Sequence, residues 1–228
     1  MITNSTAVQT REGQSALAFT RYASIGAVVG PALFAIAWLA LGCLQPTVRT
    51  EYGLIGGLSG AVTNPISALG VGPHAELFNC AFVICGLLTL VGVFAAFATM
   101  EIKRPTTRCK WCAALFALSP IGLALAGVFT LADSLAMHNV AALLLFVVPL
   151  LAFPVSARYF RRIAQWRRYG TFLLSAGPIT FVLLVLFIST FHLSAIVAGT
   201  GAAGLTERLL LTEIHVWYVA LGWHAFRL

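Results

Sequence analysis

Residues 77–99 read LFNCAFVICGLLTLVGVFAAFAT, 23 positions in succession without an Asp, Glu, Lys or Arg. About 20 predominantly apolar residues make a helix long enough to cross the hydrocarbon core of a bilayer, whereas a barrel strand needs only about 9–11. Inside lipid no water satisfies the backbone, so a continuous run of this length closes its own hydrogen bonds as a helix. The pattern recurs on either side. Apolar runs cover residues 21–44, 111–130, 138–157, 171–192 and 209–226, which predicts six transmembrane helices. The fold class is therefore all-α, a polytopic bundle forming one domain over residues 21–228. A polar, Ser/Thr/Gln-rich stretch over residues 1–20 reads as a flexible cytoplasmic tail.

Composition leads to the same class. Apolar types are 60% of the 228 residues and charged types 9%, against about 25% charged in a soluble domain. The first run is longer than the apolar core of a signal peptide, about 7–15 residues. Leu41-Gly42-Cys43 has the outline of a lipoprotein site, but Ala40 stands where a larger aliphatic is preferred. The run is accordingly read as a span. Residues 52–73 carry no charge and are dense in Gly, Ser, Thr, Asn and Pro. They read as an outer loop with short helical or re-entrant pieces, because irregular backbone enters a membrane only where protein or water satisfies it.

A net charge of +7 would suit a nucleic-acid binder if it were spread over a folded surface. It is not. Arg11, Arg21, Lys103, Arg104, Arg108, Lys110, Arg158, Arg161, Arg162, Arg167, Arg168 and Arg227 all fall on one side of a six-span chain, and Arg49 and Arg208 on the other. Basic residues favour the cytoplasmic side, so both termini are expected there. Nucleic acid is excluded as a partner. Membrane lipids are the expected one, and a homo-oligomer is compatible with the small-residue pairs Gly26/Gly30 and Gly122/Ala126, which permit close helix packing. Pro31, Pro120, Pro149, Pro154 and Pro178 fall within spans and are expected to bend them.

Polar chemistry is concentrated at the outer boundary, where His74, Glu76, Asp133, His138, His192, Glu207, Arg208, Glu213 and His215 stand. An acid about one turn inside a span, as Glu213 is, is costly unless it is paired or faces a cavity. A His or Arg of a neighbouring helix is its expected partner. The leading reading is an outward-facing polar pocket for an ion, lipid headgroup or small polar ligand, with Asp133, His138 and Arg208 at its core and Glu213 and His215 beneath.

Other chemistries leave thinner traces. By residue type His74, His138, His192 and His215 are candidate zinc ligands, yet no HExxH or similarly tight spacing is present. His138, His192 and His215 lie at similar depth on three spans, as one bis-His haem b would need, while His224 stands alone at the inner end. No cofactor is predicted and no catalytic residue is assigned. Cys109-Lys110-Trp111-Cys112 is a CxxC on the cytoplasmic edge, read as a membrane-interface anchor. The five Cys show no disulfide framework. A metal-dependent hydrolase or haem/redox protein stays as one alternative and a small-molecule transporter as another. The nearly apolar inner halves of the spans argue against the transporter.

Three segments also resemble the bacterial and archaeal membrane family DUF998. They are Ser67-Ala-Leu-Gly70 with Leu77-Phe-Asn79 and Gly86-Leu-Leu88; Gly127-Val-Phe129 followed by Asp133 and His138; and Gly204-Leu-Thr-Glu-Arg208. The second departs from the family's Gly-x-Phe-Pro pattern, with Thr130 in the Pro position. The resemblance implies a compact helical domain in a prokaryotic plasma (inner) membrane, with a structured first outer loop and no established activity. By motif it points to Ser67, Asn79, Asp133, His138, Glu207 and Arg208 as candidate ligand-binding positions. Glu213 and His215 join them on the reading of the residues alone.

Overall fold

The computed structural model describes residue 15, residues 17–101 and residues 106–228. Most of the expected tail, and the cations Arg11, Lys103 and Arg104, lie outside these residues; residues 17–20 are already helical. In chain order the elements are α1 (Gly26–Trp38), continued by a π-helical turn (Leu39–Cys43), then β1 (Val48–Thr50), β2 (Gly53–Ile55), α2 (Gly57–Thr63), a 3-10 turn (Ile66–Val71), α3 (Ala75–Glu101), α4 (Thr107–Val128), α5 (Leu135–Phe146), α6 (Pro149–Phe160), α7 (Arg167–Thr190), α8 (Leu193–Ala198) and α9 (Ala203–Arg227).

Five helices are long and apolar enough to cross a membrane: Leu17–Cys43, Ala75–Met100, Thr107–Val128, Leu135–Phe160 and Ala164–Thr190. The fourth combines α5 and α6. α9 is as long, at 25 residues, but Glu207, Arg208, Glu213 and His215 dilute its apolar character. The polar segment expected as an outer loop folds into an antiparallel hairpin, with Val48 opposite Ile55 and Thr50 opposite Gly53, then α2 and the 3-10 turn. None of these pieces is long enough to span.

The long helices close into a ring. α3 lies between α1 and α4, α4 packs on α5 and α6, α6 on α7, and α9 on α7, α1 and α3. Lipid tails are as apolar as the helices, so packing rather than hydrophobic exclusion holds such helices together. Backbones accordingly meet where side chains are smallest. A Cβ added at Gly92 of α3 would collide with the backbone of Ala27, and one at Gly26 with the Leu88 carbonyl. Beyond this crossing the half of the bundle away from the hairpin is filled by Phe97, Phe116, Phe153, Phe160 and Tyr218, whose rings meet at 5.4–6.2 Å.

Two of the expected proline bends carry their own repair. Proline has no N–H, so the carbonyl four residues earlier loses its donor. Pro120 leaves the Phe116 carbonyl free, and the Tyr218 hydroxyl donates to it at 2.8 Å. Pro149, which separates α5 from α6, leaves the Leu145 carbonyl free, and Ser119 Oγ donates to it at 3.1 Å. Neighbouring hydroxyls are what make proline tolerable in a membrane helix. Tyr218→Phe and Ser119→Ala should therefore each cost about 1–2 kcal/mol. Thermal melts of the purified protein in detergent check this, with Ser175→Ala on an exposed face expected to leave the melt unchanged.

Candidate functional site

The site begins at the outer end of α9. Adjacent residues on an α-helix point about 100° apart, so Glu207 and Arg208 leave the helix in different directions. Both are buried, and each holds a different part of the outer segment. Arg208 Nη1 donates to the carbonyls of Ala61 at 2.7 Å, Asn64 at 3.0 Å and Gly204 at 2.9 Å. Its guanidinium carbon stands 5.5 Å over the Trp38 ring. Ala61 and Asn64 close the C-terminal end of α2, where unpaired carbonyls favour a cation. Glu207 Oε2 accepts the backbone N–H of Ile66, at the start of the 3-10 turn.

Two asparagines complete the fastening. Asn64 Nδ2 donates to the Tyr52 carbonyl at 2.7 Å and lies 3.2 Å from that of Leu54, joining hairpin to helix. Asn79 of α3 donates to the Gly70 carbonyl at 2.9 Å. A Cβ at Gly70 would strike the Asn79 side chain, so this contact requires glycine.

Beneath the fastened segment is a cavity of about 610 Å³. Its polar lining includes Ser67, His138, Asn139 and Glu207. Its walls include Phe82, Ala126, Leu145, Phe187 and Leu211. Phe146 of α5 meets Phe187 of α7 at 5.9 Å. His138 is buried and its Nδ1 lies 2.8 Å from the Phe129 carbonyl. A carbonyl only accepts, so Nδ1 is the donor and Nε2 of the neutral ring is an acceptor.

The cavity gathers Ser67, His138 and Glu207 but not the other expected members. Arg208 is turned toward backbone carbonyls. Asp133 is exposed in the turn between α4 and α5, where its Oδ2 accepts the Thr130 hydroxyl at 2.7 Å and the Thr130 N–H at 3.3 Å. A proline at position 130 would supply neither donor. Glu213 is held by Thr180 Oγ1 at 2.8 Å and Trp217 Nε1 at 2.6 Å. This corrects the expectation of a His or Arg partner: a hydroxyl of α7 and an indole one turn along α9 satisfy it instead. His215 is buried with its ring edge-on to Phe34 at 5.8 Å. Asn139 and Tyr52 also line the cavity and escaped the sequence reading, because neither is charged nor stands at a costly depth.

The histidines weighed for metal are dispersed in role. His74 and His192 are exposed, and His224 Nε2 lies 2.8 Å from the Gln165 carbonyl at the inner end. Among the described residues no group of three His, Cys, Asp or Glu side chains is placed to hold a metal ion. Cys109 and Cys112 are buried, Cys109 Sγ 3.8 Å from the Phe97 carbonyl, with Trp111 exposed beside them.

Long apolar helices and a hydrogen-bonded outer cap define an integral membrane protein of the helical-bundle class. The chain belongs to the DUF998 family, described as a protein of unknown function, whose model matches residues 28–224. No curated protein and no solved structure matches it.

The fastening makes a prediction that separates neighbouring candidates. Arg208→Met strands the α2 carbonyls and should destabilise the protein by about 3 kcal/mol. It should also expose residues 52–73 to limited proteolysis. Asp133→Asn, at an exposed turn, should shift stability by no more than about 0.5 kcal/mol.

Proposed function

We propose that this DUF998 protein is a six-span protein of a prokaryotic plasma (inner) membrane, with both termini in the cytoplasm. We further propose that its outward-facing cavity binds a small ligand carrying a polar group. The observation that carries the binding reading is the convergence of Ser67, His138 and Glu207 on one cavity of about 610 Å³, within the usual range for small-molecule sites. A receptor fits these groups better than a reaction centre. Nucleophilic catalysis wants a nucleophile, a base and an orienting group in hydrogen-bonded sequence. Among the described residues Ser67, His138 and Glu207 share no hydrogen bond, and the His138 Nδ1 is bound to backbone. The aromatic filling of the inner half argues against a second, inward pathway.

Six crossings are supported by the pairing of α9 with α1. At one end Arg21 Nε and Nη2 donate to the Phe226 carbonyl at 3.2 and 3.0 Å, and Ser24 Oγ to that of Gly222 at 3.1 Å. At the other end Gly42 lies beside the Arg208 guanidinium. The two helices are therefore antiparallel over their whole length, and α9 crosses whatever the Leu17–Cys43 helix crosses. Their shared Arg21 end is the end that a positive-inside sorting assigns to the cytoplasm.

Green fluorescent protein fused at either terminus is expected to fluoresce. Alkaline phosphatase should be active only when fused in an outer connection such as that before Ala203, and an active C-terminal phosphatase fusion would overturn the topology. For the cavity, Ala142→Trp fills the space. Mass spectrometry of solvent extracts should show a small molecule that co-purifies with the wild type and is missing from this variant. Identical extracts would overturn the binding reading.

A further inference from the structure

We infer that the cavity's ligand is an amphiphile with a positively charged, hydrogen-bond-donating head, its tail between α5 and α7 and its head at Glu207. This rests on the binding reading above and adds the chemical class. The first observation is the cavity's entrance. α6 packs along α7, whereas α5 meets α7 through Phe146 and Phe187. Above that contact the cavity is rimmed by apolar side chains that are themselves exposed: Leu135 is 60% accessible, Ile188 62% and Phe191 47%. In a bilayer these residues face acyl chains. Such an entrance admits an alkyl chain at no desolvation cost, while a hydrated ion would have to shed its shell.

The second observation is the charge at the far end. The ionisable side chains lining the cavity are Glu51, Tyr52, His138 and Glu207, and no Lys or Arg is among them. Arg208 is engaged by three carbonyls and Trp38, and Arg49 by the carbonyls of Val197 and Ala198 beside the cavity wall. Glu207 is only 6% accessible. Its Oε2 holds the Ile66 N–H, and its Oε1 stays accessible with no hydrogen bond from the described residues. His138 Nε2 and the Ser67 hydroxyl offer further acceptors beside it. A phosphate or carboxylate head would meet Glu51 and Glu207 with no Lys or Arg in the lining to bind it. An ammonium head presents three donors and the missing positive charge.

The test uses the full chain in nanodiscs of zwitterionic lipid, with radiolabelled dodecylamine as probe and empty nanodiscs as the blank. Dodecylamine should bind saturably at one site per chain. Unlabelled dodecanoate should compete at least about tenfold more weakly, a difference of about 1.4 kcal/mol, and butylamine, which lacks the tail, should not compete over the same range. Glu207→Gln keeps an acceptor for Ile66 and should erase the preference for amine over acid. Ser67→Lys leaves the Glu207–Ile66 bond untouched, adds a cation to the lining and should reverse the preference, so the assignment stays testable even if Glu207→Gln fails to fold. Dodecanoate competing as well as the amine would overturn the head assignment while leaving the binding reading intact. Absence of saturable binding by either probe, or wild-type binding by Ala142→Trp, would overturn the binding reading itself.

Discussion

A guanidinium bonded to backbone carbonyls organises this protein. A buried cation in a membrane helix is tolerable only where other groups replace its hydration. Arg208 finds them in the carbonyls of Ala61, Asn64 and Gly204 and in the face of Trp38. The carbonyls of Ala61 and Asn64 would otherwise be orphans at the end of a two-turn helix. One bond set thus removes two liabilities, and it does so between the last long helix and the first outer segment, some 140 residues apart in sequence. The cap over the cavity, the position of Ser67 in its roof and the direction of Glu207 all follow from that fastening.

Lipid exposes some features of a sequence and hides others. The spans were readable because a bilayer demands unbroken apolar runs of a set length, and residues 77–99 meet the demand without a charge. Glu207, Arg208 and His138 were readable as candidates because polar groups at that depth must be accounted for. The direction each side chain takes was not readable. Arg208 was expected to face a pocket and instead binds backbone, since backbone carbonyls have no letter in a sequence. The Thr180 and Trp217 partners of Glu213 are ordinary residues in ordinary runs. Asp133 is held by Thr130, three positions away, an uncharged residue that carries no signal of its own.

The cavity's apolar walls were the least legible element. Phe82, Leu145 and Phe187 belong to the same residue types as the faces turned to lipid, so composition does not separate a wall from an outer surface. What separates them is the divergence of α5 from α7 at the Pro149 break, a property of packing. The hydroxyls of Ser119 and Tyr218 meet the carbonyls that Pro149 and Pro120 leave free, so the break is a fixed shape and not a weak point.

Glu207 has two attachments, holding the turn at Ile66 and lining the cavity. Occupancy of the cavity and order in the cap are therefore thermodynamically linked: a ligand that anchors the carboxylate also anchors the turn, and the reciprocal coupling is equal in size. In a cap of this kind the folded form of residues 56–71 carries a record of whether the cavity beneath is filled, without a helix having to move.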